Sequence, residues 1–162
     1  MRAGPRWLAA LALVWALQPA APDAAELRPF GPASYRGILE AHAGRPFVLA
    51  FWSVHCAPCL EDLVLWSDLQ KRGRAPALVL VATDGPEDAR AVSARLATQP
   101  LGGTQTWVFA DEYVERLRHS VDRTWRGELP RTYFFDASHR VEVITGRIDA
   151  TWLGAWAERV RR

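Results

Sequence analysis

The segment Pro46-Phe-Val-Leu-Ala-Phe-Trp52 is apolar without interruption, and shortly after it the chain reads Cys56-Ala-Pro-Cys59. An unbroken apolar run of this length fits a strand buried on both faces, as in the middle of a layered α/β sheet. Beyond the cysteines the period changes. Leu60, Leu63, Val64 and Leu69 recur at helical spacing, which predicts a helix over Cys56–Arg72 ended by Gly73. A buried strand leading into a Cys-x-x-Cys pair at a helix start is the context in which that pair becomes a strong redox signal.

The remaining chain alternates in the same way. Glu26–Pro32 reads as an extended lead-in. Ser34–Ala43 reads as a helix, with Ser34 as N-cap and Gly44 as stop. Ala77–Ala82 is a second buried strand. Asp84-Gly-Pro86 is a turn with proline at the first helical position, and Ala89–Thr98 a helix with Val92 and Leu96 inward. Thr104–Ala110 is a strand after the loop at Gly102-Gly103. Asp111–Ser120 is a helix with acids in its first turn and Arg116, Arg118 and His119 in its last, which suits the helix dipole. Arg131–Phe135 and Arg140–Thr145 form a hairpin, and Asp149–Arg162 closes the chain as a helix burying Trp152, Leu153, Trp156 and Val160. Alternation of this kind implies an α/β sheet with helices on both faces.

Residues 1–25 read as an address, not as fold. Arg2 and Arg6 precede the apolar run Trp7–Leu17, and a stretch of small residues follows up to Ala25. Charged, apolar, then small is the order of a secretory signal. The run is shorter than the roughly 20 residues of a membrane span. No clean Ala-x-Ala cleavage site stands between Ala20 and Ala25, so cleaved signal and uncleaved anchor both stay open. Residues 26–162 form the one expected domain. Its bulk charge names no partner: the whole chain carries a net charge of +2, unlike a nucleic-acid binder with clustered basic residues.

Two cysteines in one short motif leave no disulfide framework. Cys56 stands at a helix N-terminus, where free backbone N–H groups and the dipole favour an anion. The thiolate is the reactive form, and such positions lower a cysteine pKa well below its free value of about 8.5. Cys59 falls one turn later and faces the protein, and Pro58 stiffens the first turn without wasting a donor. Cys56 therefore attacks and Cys59 resolves. Two other readings remain. A structural bridge over so short a loop stabilises little. A zinc site needs two more ligands, and His42, His55, His119 and His139 show no paired ligand spacing.

The segment Phe51-Trp-Ser-Val-His-Cys-Ala-Pro-Cys59 resembles the active-site segment of thioredoxin-fold proteins, specifically the TlpA/ResA-like periplasmic thiol–disulfide oxidoreductases. A second segment, Gly127-Glu-Leu-Pro-Arg-Thr-Tyr-Phe-Phe-Asp136, resembles that family's proline segment. The resemblance spans about residues 34–160. It implies a thioredoxin-like α/β fold: a central mixed β-sheet, helices on both faces, and an extra helix–strand insertion at about residues 86–110. It implies that Pro130 is cis and faces the cysteines, and that the Leu129 backbone pairs with a bound substrate strand.

The departures from the family pattern are specific. His55 stands where the family has an aromatic. It is either a surface residue or, as an imidazolium, a group that stabilises the Cys56 thiolate. The buried aspartate of thioredoxin aligns with Ala50, and the family's glutamate after the second cysteine aligns with Asp62. Asp62 is thus either an acceptor for the Cys59 proton or a solvated helix-face acid. Val64 replaces a helix-kinking proline. Arg131 follows Pro130 directly, as a charge beside the substrate groove or as a plain surface residue. Trp52 reads as active-site packing, Trp66 as a helix-face aromatic, and Trp107 and Trp125 as core or near-core. His119 and His139 read as helix-end and turn residues.

The function expected on this basis is an exported thiol–disulfide oxidoreductase using Cys56 and Cys59. The resemblance implies a monomeric reductase of periplasmic protein disulfides, fed by a membrane electron donor. Apocytochrome c or copper-site cysteines are the implied substrates, with no nucleic acid, organic cofactor or metal required. Three rivals are kept: a copper-delivery protein of the same fold using a distal histidine, a thiol peroxidase, and a non-catalytic binding module.

Overall fold

The computed structural model describes residues 27–161. The leader reading of residues 1–25 lies outside them. Among the described residues no helix is long and apolar enough to cross a membrane.

Six strands and five helices alternate: β1 (Leu27–Phe30), α1 (Ser34–Ala41), β2 (Phe47–Trp52), α2 (Ala57–Lys71), β3 (Leu78–Ala82), α3 (Ala89–Ala97), β4 (Gln105–Phe109), α4 (Val114–Val121), β5 (Arg131–Phe135), β6 (Val141–Thr145) and α5 (Ala150–Val160). A 3-10 turn, Pro86–Asp88, leads into α3. The strands form one sheet in the order β1-β4-β3-β2-β5-β6. The first four are parallel neighbours, while β5 runs antiparallel to β2 and β6 to β5. The sheet is therefore mixed, and α3 with β4 is the additional helix–strand pair.

β2 is central and buried at every residue. Its side chains alternate between two cores. Val48, Ala50 and Trp52 face α2, α3 and α5, where they meet Leu63, Trp66, Leu96 and Trp156. Phe47, Leu49 and Phe51 face α1 and α4, with Phe30, Phe109, Trp125 and Tyr133 around them. The second core is strongly aromatic: Phe47 stacks on Phe135 at 4.6 Å and Phe51 leans on Trp125 at 4.7 Å between centroids. At roughly 2 kcal/mol for each large apolar side chain buried, these two layers drive folding.

Local expectations are corrected at four places. The lead-in Leu27–Phe30 is a strand, paired in parallel with β4 from Leu27↔Thr106 to Phe30↔Phe109. Ser34 is the first residue of α1, not its N-cap: Ala33 holds that position, and the Ser34 hydroxyl accepts the Gly31 N–H at 2.9 Å. α4 starts at Val114, because Asp111 is drawn into a turn that accepts the Tyr113 N–H and the Arg116 guanidinium. On α2, Val64 is 49% exposed while Trp66 is 1% exposed, so the tryptophan and not the valine faces the core.

The carboxyl ends of the parallel strands β2 and β3 lie side by side, with Trp52 opposite Ala82. The loops leaving these two ends carry the cysteine motif and Asp84.

Candidate active site

Cys56 is the N-cap of α2, and extended backbone there turns the chain into the helix. Its Sγ accepts the N–H of Cys59, the third residue of the helix, at 3.2 Å. An anionic sulfur at this position meets an N-terminal donor and the positive end of the dipole. Pro58 sits in the first turn, where no intrahelical donor is needed. Cys56 and Cys59 are joined as a disulfide, with Cα atoms 5.2 Å apart. Cys56 is half-buried and Cys59 is 1% exposed. Cys56 is therefore the more accessible of the two cysteines.

Below the disulfide, a cavity of about 10 Å³ is lined by Cys59, Asp62, Trp52, Trp66, Ala50, Pro130 and Thr132 among others. The structure brings Trp52, Asp62 and Pro130 together here from three separate elements. Asp62 is buried, so the solvated-acid reading is set aside. Its Oδ1 accepts the Ile148 N–H at 3.3 Å. Asp62 Oδ2 and Trp52 Nε1 have no hydrogen-bond partner among the described residues. Burial raises the Asp62 carboxyl to about 6, against the smaller lowering effects of the Ile148 N–H and of Arg147. Ala50, on β2, and Asp62, on α2, line this cavity from opposite elements.

The Leu129–Pro130 bond is cis. Leu129 is half-buried and touches both cores. The approach to it is fixed from within: Trp125, buried in the aromatic core, donates its Nε1–H to the Glu128 carbonyl at 3.0 Å. Pro130 O accepts the Gly146 N–H at 2.8 Å, which ties the segment to the end of β6.

Arg131 is not a plain surface residue: its side chain is largely covered, on the sheet face opposite α2. Its register partner is Phe51, on the α1/α4 side of the sheet, away from α2. There Nε donates to the Tyr133 hydroxyl at 2.7 Å, Nη1 to Thr145 Oγ1 at 2.9 Å and Nη2 to Asp122 Oδ2 at 2.6 Å. Strand alternation explains this: Pro130 faces the cysteines, so the next side chain points to the opposite face.

His55 is exposed, with Nε2 3.4 Å from Asp88 Oδ2. Asp84, read from sequence only as a turn residue, is buried beside it. One ligand atom each from His55, Asp84 and Asp88 lie within 4.8 Å of one another. Part of this donor set is already engaged: Asp84 accepts from Ser53 and Val54, and Asp88 from His55. The sequence hides the grouping because residues 55 and 84 are far apart along the chain and meet only through the parallel pairing of β2 and β3. Of the other histidines, His42 is buried against Phe47 and His139 reaches the His42 carbonyl at 3.1 Å, both remote from the cysteines.

No family model and no curated protein matches the chain. Solved structures do. A Mycobacterium tuberculosis DsbF, described in mixed oxidised and reduced forms, is 21% identical over 75% of this chain and 84% of its own, with a TM-score of 0.57. A secreted disulfide oxidoreductase of M. tuberculosis, described as homologous to E. coli DsbE, is 18% identical over 74% of this chain and 85% of its own, also at 0.57. A thiol:disulfide interchange protein of the thioredoxin family from Chlorobium tepidum is 19% identical over 75% of this chain and 83% of its own, at 0.55. At these identities the likeness establishes the fold, which is thioredoxin-like.

Proposed function

We propose that this thioredoxin-like chain is a thiol–disulfide oxidoreductase that reduces protein disulfides outside the cytoplasm. The observation that carries the reading is the asymmetric pair at the start of α2: Cys56 accessible at the N-cap, Cys59 buried behind it. A structural bridge needs no such asymmetry.

The reduced form begins the cycle. The Cys56 thiolate, held by the Cys59 N–H and the helix dipole, attacks one sulfur of a partner disulfide. A Cys56–partner bond forms and the partner's second sulfur leaves as a thiolate. Cys59 then loses its proton to Asp62, the carboxyl that shares its cavity and titrates at about 6. The Cys59 thiolate attacks Cys56 Sγ, the partner's remaining thiolate leaves, and the Cys56–Cys59 disulfide closes. Two electrons have passed to the partner, and a dithiol donor at the membrane returns them. His55, when protonated, adds positive charge beside Cys56. Trp52 packs the floor of the site. Among the described residues nothing hydrogen-bonds to the Leu129 backbone, which leaves its N–H and C=O for an extended substrate strand. Apocytochrome c or copper-site cysteines are the substrate class this reading favours, and export through residues 1–25 is part of it.

Trapping tests the reading. With Cys59→Ala expressed in the native host, the partner stays disulfide-linked to Cys56 and is identified by mass spectrometry. Recovery of no protein mixed disulfide, together with no reduction of a model protein disulfide by the wild type, overturns it.

A further inference from the structure

Asp84 is 6% exposed, yet it lies in the loop that follows β3. A buried carboxylate needs strong compensation, and here the compensation comes from the loop that carries the cysteine motif. Asp84 Oδ1 accepts the Ser53 hydroxyl at 2.7 Å. Its two oxygens share the Val54 N–H, at 3.3 and 3.2 Å. Ser53 passes the constraint on: its Oγ accepts the His55 N–H at 3.0 Å, and its carbonyl accepts the Cys56 N–H at 3.2 Å. The preceding residue is pinned as well, because Trp52 O accepts the Thr83 N–H at 2.8 Å. The Ser53 hydroxyl and the N–H groups of Val54, His55 and Cys56 are thereby engaged, and the chain is delivered to the helix start in one conformation. The titratable groups around Asp84 are His55, from the cysteine loop, and Asp88, from the 3-10 turn.

We propose that Asp84 is a positioning residue for Cys56, acting through Ser53: it sets the loop so that Sγ meets the Cys59 N–H. This deepens the oxidoreductase reading and rests on it. Asp84 does not touch the reacting sulfurs. Its effect is on the fraction of Cys56 present as a helix-stabilised thiolate, since a sulfur displaced from the N-terminal donor loses that support.

The test uses the reduced full chain and follows alkylation of Cys56 by iodoacetamide across pH, with thermal stability measured in parallel. Asp84→Ala is expected to raise the midpoint of the Cys56 titration and to slow alkylation at neutral pH about tenfold, as small displacements of reacting groups do. Asp84→Asn keeps an oxygen for both the Ser53 hydroxyl and the Val54 N–H, and is expected to stay within about twofold of wild type. Ser53→Ala removes one hydroxyl, folds where Asp84→Ala fails to, and is expected to shift the midpoint in the direction of Asp84→Ala. The proposal is overturned if Ser53→Ala and a folded Asp84→Ala leave midpoint and rate unchanged, whatever happens to stability. An Asp84→Asn variant as impaired as Asp84→Ala overturns it too. The readout needs no substrate, so failure of the proposal stays distinct from failure of the proposed activity, which is judged on disulfide reduction by the wild type.

Discussion

Asp62, on α2, and Ile148, just before α5, are joined by a hydrogen bond from the Ile148 N–H to Asp62 Oδ1 at 3.3 Å, with both residues buried. This bond fixes the carboxylate beneath the disulfide and leaves its other oxygen without a partner among the described residues. A carboxyl so placed holds its proton more tightly than one in water, and it stands in the cavity that Cys59 lines.

Stability carries the signature of that burial. The folded carboxyl titrates at about 6 and an unperturbed one at 3.8. The folded state therefore binds the proton more tightly than the unfolded chain does. Stability falls as pH rises from about 4 to about 6, by up to about 3 kcal/mol at 1.36 kcal/mol per pKa unit. Asp62→Asn is expected to flatten this slope and to be the more stable protein at pH 7, as read by chemical denaturation of the oxidised form from pH 4 to 7. A variant with the wild-type slope contradicts the assignment.

The same carboxyl affects exchange. If Asp62 takes the Cys59 proton, Asp62→Asn slows resolution of the mixed disulfide by about a hundredfold, the lower range for general-base catalysis. Attack by Cys56 is unchanged. Single-turnover kinetics with a labelled disulfide substrate separate the two steps, and slowing of the first step alone rejects the role.

The two thiols differ in access. After reduction, an alkylating agent at neutral pH is expected to modify Cys56 and to spare Cys59, which is 1% exposed. Peptide mapping of the alkylated protein decides it, and faster labelling of Cys59 reverses the roles.

Arg131 is structural. Arg131→Ala removes its bonds to Asp122, Tyr133 and Thr145. It is expected to lower stability by about 1.5–3 kcal/mol, the range for hydrogen bonds to charged groups. Disulfide-exchange rates are expected to stay at wild-type level. A substrate-dependent loss of rate with stability intact returns Arg131 to the groove.

Much of the molecule was legible along the chain. β2 shows as an unbroken apolar run because both of its faces are covered. Cys56 and Cys59 are readable because a helix N-cap and its third residue are defined by neighbours in sequence, and the Leu129–Pro130 segment because its pattern is local too. Other features depend on partners that only folding supplies. Leu27–Phe30 contains Arg28 and Pro29 and shows no strand period; it becomes an edge strand because β4 offers its hydrogen bonds. Val64 and Trp66 exchange the expected faces because the direction of α2 over the sheet decides which side is covered.

Polar residues mark the boundary most clearly. Hydrophobic periodicity states which apolar side chains go inside, since burial is favourable for them wherever it occurs. It is silent about Asp62, Asp84 and Arg131, because a charged group enters the interior only where distant segments bring hydrogen-bond partners to it. Ile148 meets Asp62, Ser53 meets Asp84, and Asp122 meets Arg131 through the packing of the sheet and its helices. The sequence alone therefore determined the sheet's central strand and the cysteine pair that follows its end. The tertiary structure decided which charges stand around that pair, because no local rule compensates a buried charge.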